Sequence, residues 1–213
     1  MSASDKELRA PIIGIRRHRI NTDGKGVTTL VGFYGCPLRC RYCLNPRSFD
    51  PETQAKSLSP SELYEQVRID ELYFLASGGG VTFGGGEPLL YPEFIKQFRS
   101  LCGESWHICA ETSLSVPPEN VKLAAECIDT FFVDCKDPHP EVYESYTGKD
   151  NAVMLENLRY LISAVGKDRV VVRVPLIPGY NTEESRLSGI EILKGLGAEN
   201  FDLFKYKTKQ NEI

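Results

Sequence analysis

Short runs of β-branched and aromatic residues, each closed by glycine, proline or polar positions, recur along the chain at residues 27–34, 81–83, 106–111, 130–134, 170–176 and 201–206. Runs this short and this apolar predict buried strands. The segments between them predict helices. The clearest starts at Ser59-Pro60-Ser61-Glu62, a capping box with proline at the first helical position, and stops at Ser77-Gly78-Gly79-Gly80. Others are expected at 91–101, 118–127, 152–165 and 183–193. Strand and helix alternating about six times, with connections long enough to cross back over a sheet, predict the α/β class with a parallel sheet. The expected architecture is a partial (β/α)6 barrel of the TIM type. In such barrels the chemistry sits at the C-terminal ends of the strands.

Composition narrows the picture. The 213 residues suit one domain, expected at 21–213 behind an N-terminal extension at 1–20. Hydrophobic residues at 41% and charged residues at 25% are ordinary globular values, so disorder is not expected. No secretory signal and no run of about 18 apolar residues is present, which predicts a cytoplasmic protein with no membrane segment. Seven cysteines, an odd number, suit ligands and buried thiols in a reducing compartment better than a disulfide framework. A net charge of −4 argues against nucleic acid as a partner. One local exception is the basic run Arg16-Arg17-His18-Arg19, followed by Lys25, Arg39 and Arg41, which is either a solvated rim or a docking surface.

The candidate chemistry falls on the predicted strand ends. After the first strand comes Gly35-Cys36-Pro37-Leu38-Arg39-Cys40-Arg41-Tyr42-Cys43-Leu44-Asn45, with three thiols in eight residues. Taken alone, the spacing suits three-quarters of a zinc site, an electron-transfer cluster completed elsewhere, or an iron–sulfur cluster with one iron left open. After the second strand, Gly84-Gly85-Gly86-Glu87 is a turn whose missing side chains let backbone come close to a ligand, or a plain turn before a helix. Glu111-Thr112 ends the third strand. In Phe132-Val133-Asp134-Cys135-Lys136 a two-residue period places Asp134 and Lys136 on one face, where burial requires partners. Those partners are a ligand or each other. Arg173, inside an otherwise apolar strand, needs an anion, whether a ligand carboxylate, Asp134 or Glu111.

Together these pieces resemble the radical S-adenosylmethionine (SAM) superfamily, whose cysteine signature Cys36, Cys40 and Cys43 match in spacing, with the aromatic Tyr42 before the third. Within it the chain is similar to glycyl radical enzyme activating enzymes of the pyruvate formate-lyase-activating type, from about Thr22 to Tyr206. The resemblance implies a 4Fe–4S cluster on Cys36, Cys40 and Cys43, with SAM completing the open iron. Tyr42, Asn45, Gly85, Gly86, Glu87, Lys136 and Arg173 fall at SAM-binding positions. Glu111, Thr112 and Asp134 match positions that help hold a monovalent cation, with Glu111 where aspartate is usual. Asp23 and Lys25 match a segment near the protein substrate, although Lys25 replaces a proline, and Lys207 replaces a histidine of the sixth strand. A minimal, C-terminally short version is expected.

The implied activity is reductive cleavage of SAM to a 5′-deoxyadenosyl radical that takes hydrogen from a glycine of a partner glycyl radical enzyme. A flavodoxin- or ferredoxin-type protein would supply the electron. Two alternatives stand beside it: a radical SAM enzyme acting directly on a small molecule or peptide, like 7-carboxy-7-deazaguanine synthases or ribonucleotide reductase activases, and a non-catalytic iron–sulfur or zinc module. The remaining cysteines, Cys102, Cys109, Cys127 and Cys135, lie in apolar segments and are expected to pack. Anaerobic reconstitution followed by electron paramagnetic resonance should therefore give a cluster signal that SAM perturbs. Cys36→Ala, Cys40→Ala or Cys43→Ala should each abolish it, and its loss in Cys102→Ala would refute the assignment.

Overall fold

The computed structural model describes residues 7–206. Strand β2 (Val27–Phe33) leads directly into the cysteine loop. Beyond it pair, all in parallel, β4 (Gly80–Gly85), β5 (His107–Thr112), β6 (Thr130–Asp134), β7 (Val170–Leu176) and β8 (Asn200–Lys205). On the other flank β1 (Ala10–Ile20) pairs antiparallel with β2, and β3 (Lys56–Leu58) pairs antiparallel with β1. The eight strands form one open sheet in the order β3-β1-β2-β4-β5-β6-β7-β8. The six parallel strands are the expected partial TIM-like barrel. Connecting them are α1 (Pro60–Val67), α2 (Glu71–Ser77), α3 (Pro92–Cys102), α4 (Pro118–Ala125), α5 (Pro140–Thr147), α6 (Ala152–Val165) and α7 (Glu183–Gly195).

Alternation along each strand separates core from site, because successive side chains point to opposite faces of a sheet. One set, including Val31, Phe33, Phe83, Ile108, Phe131, Val133 and Val172, is fully buried. These residues form a single core with Leu63, Phe74, Phe94, Phe98, Leu158 and Leu161 of the helices. The other set, including Leu30, Gly32, Glu111, Asp134 and Arg173, lines open cavities on the opposite face. Burial of the first set, worth roughly 1.5–3 kcal/mol per large side chain, holds the second in place.

Several elements depart from the expectation. Residues 10–20, assigned above to an N-terminal extension, are a full strand of the same sheet. Their arginines hid them, since the strand pattern breaks at a bulge: the register shifts between Arg16 and Arg19, and His18 takes φ 56°. Arg17 and His18 consequently both reach Asp70, while Arg16 and Arg19 face a cavity on the other side. The single helix expected from Ser59 to Ser77 is two, interrupted by a 3₁₀ turn at Arg68–Asp70. There Asp70 is drawn in to 0% exposure, accepting from the Arg17 guanidinium and from the Thr29 hydroxyl at 2.9 Å. The capping box at Ser59 and Glu62 is formed as expected. Helix α5, polar and opened by Pro140 after His139, is not among the expected elements.

Burial pushes the Asp70 carboxyl up, but hydrogen bonds from Arg17 and Thr29 outweigh it and the net shift is downward. A carboxyl so held stabilises the fold above its unfolded value of about 3.9 and stops doing so as pH falls through its lower folded value. Asp70→Asn should cost about 1–3 kcal/mol at neutral pH in urea unfolding. It should also flatten the stability loss between about pH 5 and pH 2, and equal slopes for variant and wild type would refute the coupling.

Candidate active site

The strand ends open onto one cavity of about 300 Å³. The cysteine loop contributes Cys36, Cys40, Cys43 and Asn45, and the end of β4 contributes Gly85, Gly86 and Glu87. Glu111, Thr112, Asp134, Lys136 and Arg173 supply the opposite wall. Three expected residues lie elsewhere. Tyr42 packs behind the loop, its hydroxyl donating to the Pro178 carbonyl at 3.3 Å and its ring edge-on to Tyr146 and Tyr180. Asp23 is buried in the wall of an adjoining cavity. Lys25 is exposed at the opposite ends of the strands, just before β2, and lines neither cavity. Lys207 falls outside the described residues.

Backbone pairing fixes the cysteine loop. The Arg39 amide donates to the Thr147 carbonyl at 2.9 Å and the Arg41 amide to the Tyr146 carbonyl at 3.1 Å, so the loop is joined to the end of α5. On its other side the Gly86 amide donates to Phe33 at 2.9 Å and the Glu87 amide to Gly35 at 2.7 Å. A Cβ at Gly86 would stand 2.1 Å from the Gly35 carbonyl oxygen, and one at Gly85, which has φ 84°, would stand 2.7 Å from the Gly32 Cα. The sequence suggested that these glycines admit a ligand. In the fold Gly86 also makes room for the start of the cysteine loop and Gly85 for strand β2, while both still line the cavity.

Glu87 completes the junction. Its carboxylate accepts from the Leu89 amide at 3.1 Å, the Thr112 hydroxyl at 2.6 Å, and the Ser113 amide and hydroxyl at 2.8 and 2.6 Å. Those four bonds match the roughly four acceptor sites a carboxylate offers. Ser113 had no signal in the sequence beyond its place after Thr112. Burial raises the Glu87 carboxyl despite these donors.

The facing wall carries both charges. Arg173 donates to Glu111 at 2.7 Å, lies 3.8 Å from Asp134 and 3.6 Å from Asp202 of β8, and stacks over Phe132. Lys136 is 8% exposed and donates to Asp134 at 2.9 Å and to the Tyr206 hydroxyl at 3.4 Å. It reaches that face through a left-handed φ of 62° just past β6, and not by strand alternation as expected. Burial opposes the ionised form of Asp134, yet Lys136 and Arg173 hold its carboxyl below the usual range. The oxygen-lined cation pocket expected from Glu111, Thr112 and Asp134 is in this structure two ion pairs and a hydroxyl committed to Glu87. Among the described residues, no group of three or more histidine, cysteine or acidic side chains is gathered tightly enough for a single metal ion.

Burial and the charge of Glu87 push the Cys36 thiol up to about 12, so a metal must displace its proton. In the small apolar cluster that packs against Cys40, the fully buried Tyr146 hydroxyl has no hydrogen-bond partner among the described residues. Glu111, Asp134 and Asp202 set against Arg173 and Lys136 complement a zwitterion that bears an additional positive charge.

The sequence profile of the Radical SAM superfamily matches residues 30–187, from within β2 to α7. The chain belongs to the radical SAM superfamily. Relatives similar across most of their length include the (2S)-3-sulfopropanediol dehydratase activating enzyme of Klebsiella oxytoca, 30% identical over 81% of this chain and 73% of its own. The indoleacetate decarboxylase activating enzyme of Tractidigestivibacter scatoligenes is 28% identical over 89% of this chain and 80% of its own. Among solved structures, Streptococcus suis SuiB bound to S-adenosylmethionine superposes with a TM-score of 0.63 at 16% identity, covering 82% of this chain. The match spans 39% of the SuiB chain and speaks to the fold alone.

In this radical SAM fold the glycine turn sets the position of the cysteine loop. Gly86→Ala should therefore cut the iron content of reconstituted protein by at least about half while far-ultraviolet circular dichroism stays that of the wild type. Full iron loading in the variant would show that the close approach is dispensable.

Proposed function

We propose that this chain is a glycyl radical enzyme activating enzyme, a radical SAM oxidoreductase that holds a 4Fe–4S cluster on Cys36, Cys40 and Cys43. The observation that carries this reading is the convergence of those thiols with charged residues of β5, β6 and β7 on one cavity, in a chain whose relatives are activating enzymes. With cluster and SAM bound, one-electron reduction yields methionine and a 5′-deoxyadenosyl radical, which takes a hydrogen atom from a glycine of the partner.

The chain's own residues bind and orient. Lys136, buried and already ion-paired, offers a fixed ammonium to a ligand carboxylate without drawing it from water. Arg173, held by Glu111 and by the Phe132 ring, offers a second cationic group in a set direction. Glu87, saturated by its four donors, keeps the β4 turn against the cysteine loop, and Thr112 and Ser113 transmit that position to β5. Arg39 and Arg41, exposed on either side of Cys40, suit an acidic flavodoxin- or ferredoxin-type donor. A reducing cytoplasm is the compartment that suits seven free thiols. No described helix is long and apolar enough to cross a membrane.

The test is anaerobic incubation of reconstituted protein with SAM, a low-potential reductant and each glycyl radical enzyme encoded beside it, followed by electron paramagnetic resonance. A glycyl radical doublet is expected, and its absence with every such enzyme overturns the reading. Lys136→Met should weaken SAM binding by about 10- to 100-fold in equilibrium dialysis, the loss of one charge-assisted contact. Unchanged binding would remove Lys136 from the role assigned to it.

A further inference from the structure

Lys136, whose ammonium is assigned above to a ligand carboxylate, stands at a backbone position that has to be held. Its φ of 62° lies in the left-handed region, which a residue with a Cβ keeps only where its neighbours fix it. On the strand side the Cys135 amide does so, donating to the Val133 and Arg173 carbonyls at 3.0 and 3.1 Å. On the other side the next residue is Asp137, a carboxylate 1% exposed that lines neither cavity of the site. Burying a carboxylate costs free energy unless donors fill its oxygens.

Three donors converge on Asp137. The His139 amide and the His139 Nδ1 donate to one oxygen at 2.9 and 2.8 Å, and the Asn181 Nδ2 donates to the other at 2.9 Å. Because an ionised carboxylate only accepts, Nδ1 carries the proton in that contact. Asn181 is fixed in turn by the end of β7: its Oδ1 accepts from the Ile177 amide at 2.6 Å, and its Nδ2 also donates to the Pro175 carbonyl at 3.1 Å. The loop after β6 is thereby tied to the turn after β7. Both sides of this joint reach the cysteine loop. The turn at 177–181 presents the Pro178 carbonyl to Tyr42, and α5, capped by His139, ends at the Tyr146 and Thr147 carbonyls that accept from Arg41 and Arg39.

We infer that Asp137 is a positioning residue: held by His139 and Asn181, it fixes the left-handed turn at Lys136 and so aims the buried ammonium at the ligand carboxylate. The inference rests on the assignment of Lys136 to SAM binding and adds to it the residues that set its direction. Lining neither cavity, Asp137 acts through Lys136, so its removal matters to SAM only while that ammonium is present. A residue that merely stabilised the fold would affect binding equally with and without it.

The test is equilibrium dialysis of SAM against cluster-loaded protein, arranged as a double-mutant cycle. Asp137→Asn keeps the shape but sets an amide against the donors of His139 and Asn181, and should weaken SAM binding by about 5- to 20-fold. In the Lys136→Met background the same change should alter binding by less than about twofold, because contacts that act as one unit are not additive. Asn181→Asp, which sets two carboxylates against each other, should weaken binding as Asp137→Asn does. The exchange D137N/N181D again faces a donor with an acceptor and should recover affinity to within about threefold of the wild type. Wild-type affinity in Asp137→Asn, an equal loss in both Lys136 backgrounds, or an exchange that binds no better than the single variants overturns the inference. Should Asp137→Asn melt early or fail to load its cluster, Asn181→Ala takes its place with the same expectation in the two backgrounds, and collapse of both variants overturns the inference in favour of a purely structural role. Unchanged binding in Lys136→Met alone removes the reading on which the inference stands, whereas weakened binding there with no loss in Asp137→Asn removes the inference alone.

Discussion

The site depends on one close approach of backbone to backbone. The β4 turn lies against β2 at Gly85 and against the start of the cysteine loop at Gly86, with no room for a single added carbon: a Cβ at Gly86 would be 2.1 Å from the Gly35 oxygen. Two amide donors cross that contact, and the buried Glu87 then anchors the turn to β5 through Thr112 and Ser113. A buried carboxylate is tolerated only when its acceptor sites are filled, and here they are. The loop that carries Cys36, Cys40 and Cys43 therefore has its position imposed by neighbours that carry none of the redox chemistry.

Around this junction the sheet sorts functions by face. Outward positions such as Phe33, Phe83 and Phe131 are buried completely beneath the helices, which makes the strands rigid. The alternate positions face an open lumen, where Glu111, Asp134 and Arg173 keep partial exposure and pair with one another. Ion pairs that are preassembled and only partly desolvated can exchange a partner for a ligand at modest cost, whereas a lone buried charge could not. The same wall is thus structure before binding and, under the proposed function, the receptor for a zwitterion.

A second division by face occurs in β1, and there it is made by a defect. The bulge at His18 allows two consecutive basic residues to turn outward to Asp70 and leaves Arg16 and Arg19 turned inward to the cavity that adjoins the first. One face of the strand is closed by a buried carboxylate. The other leaves Arg16 exposed along the adjoining cavity and pairs Arg19 with Asp23.

The sequence alone determined the local identities. The Cys-x3-Cys-x2-Cys spacing, the Gly-Gly-Glu turn, the six strands, Glu111 and Asp134 at strand ends and Arg173 inside a strand are all patterns of neighbours in the chain, legible because strand periodicity and ligand spacing are local properties. Residues 130–134, 152–165, 170–176 coincide with β6, α6 and β7 to the residue. What the tertiary structure decided are relations between distant segments. It showed that Gly86 makes room for Gly35, that Glu87 is saturated by Leu89, Thr112 and Ser113, that Asp70 in a break between two helices meets Arg17, and that Lys25 does not line the cavity that Asp23 lines. β1 was illegible because its basic run and bulge break the two-residue period, and its pairing with β2 exists only once the chain is folded. Local sequence carries propensity and spacing; which buried donor meets which acceptor is fixed only when the sheet closes the distance between them.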